Sequence, residues 1–157
     1  MNVASSIFEP EFVEKLRLMF EERISFNRLL GLRIASLEAD TVTGEIAMRP
    51  ELIGHYAHQR LHGGVISAML DAMGGLAVMA AIGSRHLADP VDDRLARFGK
   101  LGTIDLRVDY LRPATGARFQ ARGTVLRLGS RVASTRMEFM DAHGKVLSTG
   151  AAAYMVA

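Results

Sequence analysis

The chain is 157 residues long, 49% hydrophobic and 23% charged, with a formal net charge of +2 and no cysteine. That size and balance fit a single soluble globular domain with a full core, and the lack of cysteine excludes disulfides, thiol nucleophiles and thiolate metal sites and suits a reducing, cytoplasmic setting. The arginines are spread out and aromatics make up only 6%, so nucleic acid is not an expected partner and a small phosphorylated ligand suits the mild positive charge better.

The opening "MNVASSIFEPEFVEKL" has no basic start followed by an apolar run, so it does not read as a signal peptide. Phe12, Val13, Leu16, Met19, Phe20 and Ile24 recur at helical spacing and predict a helix over 12–24. "SFNRLLG" predicts a short helix capped by Ser25 and closed by Gly31. "LRIASLEA" and "TVTGEIAM" alternate about the turn-prone Ala39–Asp40 and predict a hairpin, ended by Pro50. A polar loop with His55, His58 and His62 follows.

From Arg60 to Gly83 runs a mostly apolar helix that starts with His-Gly-Gly and keeps one carboxylate, Asp71. Ser84–Gly102 is polar and predicts a loop with a short helix over Asp92–Phe98. Four alternating segments close the chain: "TIDLRVDYLRP", "ARFQARGTVLRLG", "RVASTRMEFMD" and "VLSTGAAAYMVA". In the first, Ile104, Leu106, Val108 and Tyr110 point one way and Asp105, Arg107 and Asp109 the other. The class is therefore α+β, in one domain over 1–157. A helix apolar on every face must be surrounded, and a curved antiparallel sheet of about six strands can wrap it, with the N-terminal helix outside.

About twenty apolar residues could also span a bilayer. Against a span, Asp71 at mid-membrane costs about 2.5–3.5 kcal/mol, several glycines and alanines weaken the run, and no basic cluster flanks it. A buried core helix is expected, with no membrane partner.

Three chemistries compete for this stretch. No G-x-S-x-G elbow exists, and Ser67 lies inside the helix. His55, His58 and His62, with Glu51, match no specific zinc pattern, so no metal or cofactor is expected. The plain alternative for Asp71 is a carboxylate that hydrogen-bonds a neighbouring element. Burying a carboxylate needs compensation of the kind active sites supply, and the glycines at the helix start offer free N–H groups and a positive dipole end to a developing oxyanion. Carboxylate plus oxyanion hole suits acyl transfer from a thioester, whose thiolate leaves readily. Asp71 lies eight residues beyond Gly63, about 12 Å along one helix, too far to serve one carbonyl. Two antiparallel copies would bring the groups together, which predicts a homodimer with two equivalent sites. Met69, Met73 and Met79 fit either plain core or the lining of an acyl tunnel.

His62, Gly63, Gly64 and Asp71, with "FNRLLG", "GTIDLRVDYLRP" and the final "AAAYMV", resemble the phenylacetate-degradation type of hot-dog thioesterases, and within it a bacterial subgroup that hydrolyses medium- and long-chain acyl-CoA. The resemblance spans nearly the whole chain. It implies the hot-dog fold, an acyl-CoA substrate and a homodimer joined as a dimer of dimers. It also implies that Asp71 attacks the thioester or activates water and that Gly63 polarises the carbonyl through its N–H. His62 would hold the loop, Gly64 would contact substrate, and Thr103 would line the site. A polar helper is expected about six residues before His62; Tyr56 stands there, leaving His55 or Gln59 as candidates. Arg131, and after it Arg112, are the candidates for the CoA phosphates. A non-catalytic acyl-CoA-binding module and a hot-dog hydratase or dehydratase are the competing functions.

Overall fold

The computed structural model describes residues 7–157; residues 1–6, part of the stretch read as carrying no leader, lie outside the described residues. Helix α1 (Pro10–Arg17) starts on a proline, tolerated in a first turn whose N–H has no helical partner, and buries Phe12 and Leu16. It continues into a π turn, Leu18–Arg23, closed by the Ile24 N–H on the Met19 carbonyl. Helix α2 (Ser25–Leu30) follows. Ser25 is not its cap: the chain turns at Ile24, in an extended conformation straight after the π turn, so Ser25 already lies inside the helix. Gly31 closes α2 with φ of 70°, as expected of a left-handed C-terminal glycine.

The predicted hairpin forms as β1 (Arg33–Leu37) and β2 (Thr41–Ala47). The π turn is fastened to it by the buried Glu21, whose carboxylate accepts from the Ile34 N–H at 2.8 Å and from Arg17 and Arg33. The expected polar loop is in fact a small hairpin, β3 (Ile53–His55) and β4 (Arg60–Leu61), around a tight helical turn at Tyr56–His58. Helix α3 (Gly63–Arg85) is the predicted apolar helix, and α4 (Val91–Ala96) is the short one. Four strands complete the chain: β5 (Gly102–Tyr110), β6 (Arg118–Leu128), β7 (Val132–Asp141) and β8 (Val146–Met155).

The six long strands form one antiparallel sheet in the order β1-β2-β6-β7-β8-β5, and α3 packs against β2, β5, β6, β7 and β8. By length and composition α3 is apolar enough to cross a membrane, yet 72% of its most apolar window is buried inside the fold. It is the core helix. The contact is close enough to need glycine: a Cβ on Gly123 of β6 would lie 2.3 Å from the Met73 carbonyl oxygen. Met69 and Met73 are wholly buried in the core, whereas Met79 borders a cleft.

The alternation expected of β5 holds from Leu106 to Tyr110 and breaks before Leu106. A register shift between Thr103 and Asp105 leaves Ile104 56% exposed, and Tyr110 at the other end is 54% exposed. Only Leu106 and Val108 pack against the core. The Asp105 carboxylate accepts from the Ala153 N–H at 2.8 Å across the bulge. The cause is position: β5 is an edge strand, where bulges re-aim side chains.

Candidate active site

Asp71 sits at mid-length on α3, half-buried and facing a cleft. Its Oδ1 accepts from Thr103 Oγ1 at 2.9 Å and from the Tyr154 hydroxyl at 3.1 Å. The same phenol lies 2.8 Å from the Asp71 carbonyl oxygen. Thr103 and Tyr154 face each other as a pair across β5 and β8, so the sheet delivers both donors together. Burial, and then the adjacent Asp71 carboxylate, push the Tyr154 phenol well above its ordinary pKa, so it remains a protonated donor. Asp71 Oδ2 has no partner among the described residues.

The helix must yield to admit the phenol. A Cβ on Gly74 would lie 2.2 Å from the Tyr154 hydroxyl, and that glycine is what lets the side chain reach the backbone of α3. Tyr154 escaped the sequence reading. Its signal was a lone tyrosine on the inward side of a strand whose neighbours on that face, Gly150 and Ala152, are small.

At the start of α3, His62 occupies the N-cap position and its Nδ1 accepts from the Gly64 N–H at 2.8 Å. Its own N–H bonds the Leu52 carbonyl at 2.8 Å, fixing the loop to the body of the fold. The Gly63 carbonyl accepts from the Tyr110 hydroxyl at 2.9 Å. Of the two glycine N–H groups, that of Gly64 is taken by histidine. That of Gly63 has no partner among the described residues, at the positive end of a 23-residue helix. Because α3 runs unbroken from Gly63 to Arg85, the protomer does not bring Gly63 to Asp71.

His55 and Gln59 lie on the exposed turn before α3. The His55 ring is 4.7 Å from that of His58, and Gln59 adopts φ of 49° with its Nε2 on the Tyr56 carbonyl at 2.8 Å. Neither hydrogen-bonds Asp71 nor lines its cleft. Among the described residues no three His, Asp or Glu side chains converge as a metal site would need. Arg131 is exposed in the β6–β7 turn, and Arg112 bonds the Val146 carbonyl at 2.8 Å. Beside the Arg131 turn opens a basic cleft of about 450 Å³, lined by Arg85, His86, Arg97, Lys100 and Ser130. Asp89 pairs with Arg97 and His86, whereas Lys100 has no side-chain partner among the described residues.

A six-stranded antiparallel sheet around one long helix is the hot-dog fold; residues 58–148 match the thioesterase superfamily, and the chain belongs to it. It is 38% identical over 138 residues to the medium/long-chain acyl-CoA thioesterase YigI of Escherichia coli, covering 88% of this chain and 89% of that protein. A crystal structure of a Shewanella oneidensis protein related to the thioesterase superfamily superposes with a TM-score of 0.87 at 38% identity, over 96% of this chain and 100% of that one. A thioesterase family protein from Silicibacter pomeroyi, at 23% identity and a TM-score of 0.72 over 92% and 96% of the two chains, shares the fold.

Proposed function

We propose that this protein hydrolyses medium- to long-chain acyl-CoA to free acid and CoA in the cytoplasm, as a homodimer whose two sites each combine Asp71 of one subunit with Gly63 of the partner subunit. The observation that carries this reading is Asp71 itself, with Oδ1 pinned by Thr103 and Tyr154 and Oδ2 open to the cleft. Oδ2 attacks the thioester carbon, or takes a proton from a water that does. The carbonyl oxygen gains negative charge beside the free N–H of Gly63 of the partner subunit. Collapse breaks the C–S bond and releases the CoA thiolate, which needs little acid assistance because thiols ionise near pH 8.5. Where Oδ2 itself attacked, the acyl group stays on Asp71 as a mixed anhydride, which a water then hydrolyses to the free acid and the restored carboxylate.

Strand β5 supports the shared site. Among the described residues it pairs only with β8, leaving its outer edge open to another strand. Its two ends serve the two halves of the chemistry: Thr103 holds Asp71, and Tyr110 holds Gly63. Antiparallel pairing of two β5 strands about a two-fold axis sets the Thr103 end of one beside the Tyr110 end of the other. The turn bearing His55, Tyr56 and Gln59 precedes Gly63 and would travel with it to the partner's Asp71, so the polar helper is one of those three. The basic cleft and Arg131 suit the phosphates of CoA, with Arg112 of the partner subunit entering from the far end of β5. Further pairing into a dimer of dimers completes the assembly.

The test is CoA release measured across acyl-CoAs from C4 to C16. Asp71→Asn should lower turnover about a hundredfold or more while the circular dichroism spectrum is unchanged. Equal rates in the two proteins would end the proposal. Tight acyl-CoA binding without turnover in the wild type would point instead to a binding module, and hydration of an enoyl-CoA to a hydratase.

A further inference from the structure

A cleft of about 290 Å³ opens from Asp71 between α3 and the N-terminal helices. Its floor is one stripe of α3, in which Ala72 and Gly75 are small and Met79 is the next large side chain. Its wall is Phe20 of the π turn with Ile24 and Phe26. The wall is built to hold its place: Asn27 Nδ2 donates to the Phe20 carbonyl at 2.9 Å, and Glu21 anchors the same turn to β1. The polar groups in the lining gather where the chemistry sits, at Asp71, Thr103 and Tyr154, apart from Asn27, whose amide is occupied with Phe20.

On the thioesterase reading above, we infer that this cleft takes the acyl chain and that Met79 closes its far end, so that chains of about ten carbons fit best. Asp71 and Met79 are eight residues apart, about 12 Å along the helix axis. An extended alkyl chain built from C–C bonds of about 1.5 Å advances about 1.25 Å per carbon, which places the ninth or tenth carbon at Met79. Beyond that length the chain must displace Met79, whose three rotatable bonds let it yield rather than block outright. Shorter chains leave apolar surface unfilled and lose transition-state binding with each missing methylene.

The experiment is the chain-length profile of kcat/KM, from C4 to C16, for the wild type, Ala72→Leu and Met79→Ala. The wild type is expected to rise to about C10 and then level or fall. Ala72→Leu fills the floor beside Asp71, so decanoyl-CoA should lose about tenfold or more and kcat/KM should lose its dependence on chain length, while an unchanged circular dichroism spectrum shows that the fold survives. Met79→Ala should move the optimum to longer chains by about two to four carbons. Profiles of both variants parallel to the wild type overturn the inference. A second arm separates its failure from failure of the enzymatic reading: calorimetric binding of S-alkyl-CoA thioethers, which cannot be hydrolysed. Affinity that climbs to decyl in the wild type and loses its length dependence in Ala72→Leu upholds the cleft even if turnover is absent; affinity independent of length in the wild type overturns it.

Discussion

Asp71 divides its labour between two oxygens: Oδ1 is held by Thr103 and Tyr154, and Oδ2 faces the cleft. Removing one donor should therefore loosen the aim of Oδ2 while the rest of the cleft stays in place. Tyr154→Phe is expected to lower kcat about tenfold with KM little changed, a split read directly from steady-state kinetics. Thr103→Val should do the same, and the double variant should lose less than the product of the two, since both donors hold one atom. Gly74→Ala forces the phenol back from the helix and is expected to cost about 1–3 kcal/mol in denaturant unfolding as well as activity. Asp71 and Gly63 were legible because a lone carboxylate in an apolar helix and glycines at its start carry local meaning, whereas Thr103 was marked only by the family resemblance. Tyr154 was not, because its reason for being there lies 83 residues away in Asp71.

At the scale of elements, periodicity located every long helix and strand, since core-facing residues recur at the element's own period. It failed where an element meets an edge or a bend. In β5 the pattern placed Ile104 with the core, yet a bulge turns it out to solvent; Tyr110 keeps the face of Leu106 and Val108 and reaches Gly63, though it is half exposed at the sheet edge. At α2 the preference of serine for caps lost to a turn set one residue earlier by the π turn. The packing of α4 on α1 was equally silent in the sequence. Arg94 is fully buried there, its guanidinium 4.5 Å over the Phe12 ring and paired with Glu9, while its Nε and Nη1 find no partner among the described residues. A buried charge stripped of its counter-ion is worse than no charge. Glu9→Ala should thus cost about 2 kcal/mol by chemical denaturation, and Arg94→Met, which keeps the length and drops the charge, should cost less.

At the scale of the whole molecule, the proposed shared site makes a prediction that no single chain can satisfy. Asp71→Asn removes one half and Gly63→Val, crowding the Tyr110 ring that sits 3.3 Å from a Cβ there, removes the other. Each homodimer should be inactive. Mixed by unfolding and refolding together, they should recover about a quarter of wild-type activity, since half the random dimers are mixed and each keeps one intact site of two. Activity confined within one chain would give no recovery. Sequence alone determined the α+β class, the buried helix and the two halves of the candidate site, because periodicity, a misplaced carboxylate and helix-start glycines are local signals. It also set the distance between those halves, because a helix has a fixed rise per residue. Only the tertiary structure decided which oxygen of Asp71 is free, which residues pin the other, and where the apolar cleft begins and ends. Those depend on contacts between β5, β8, α3 and the N-terminal helices, and contacts between distant segments leave no periodic trace in any one of them.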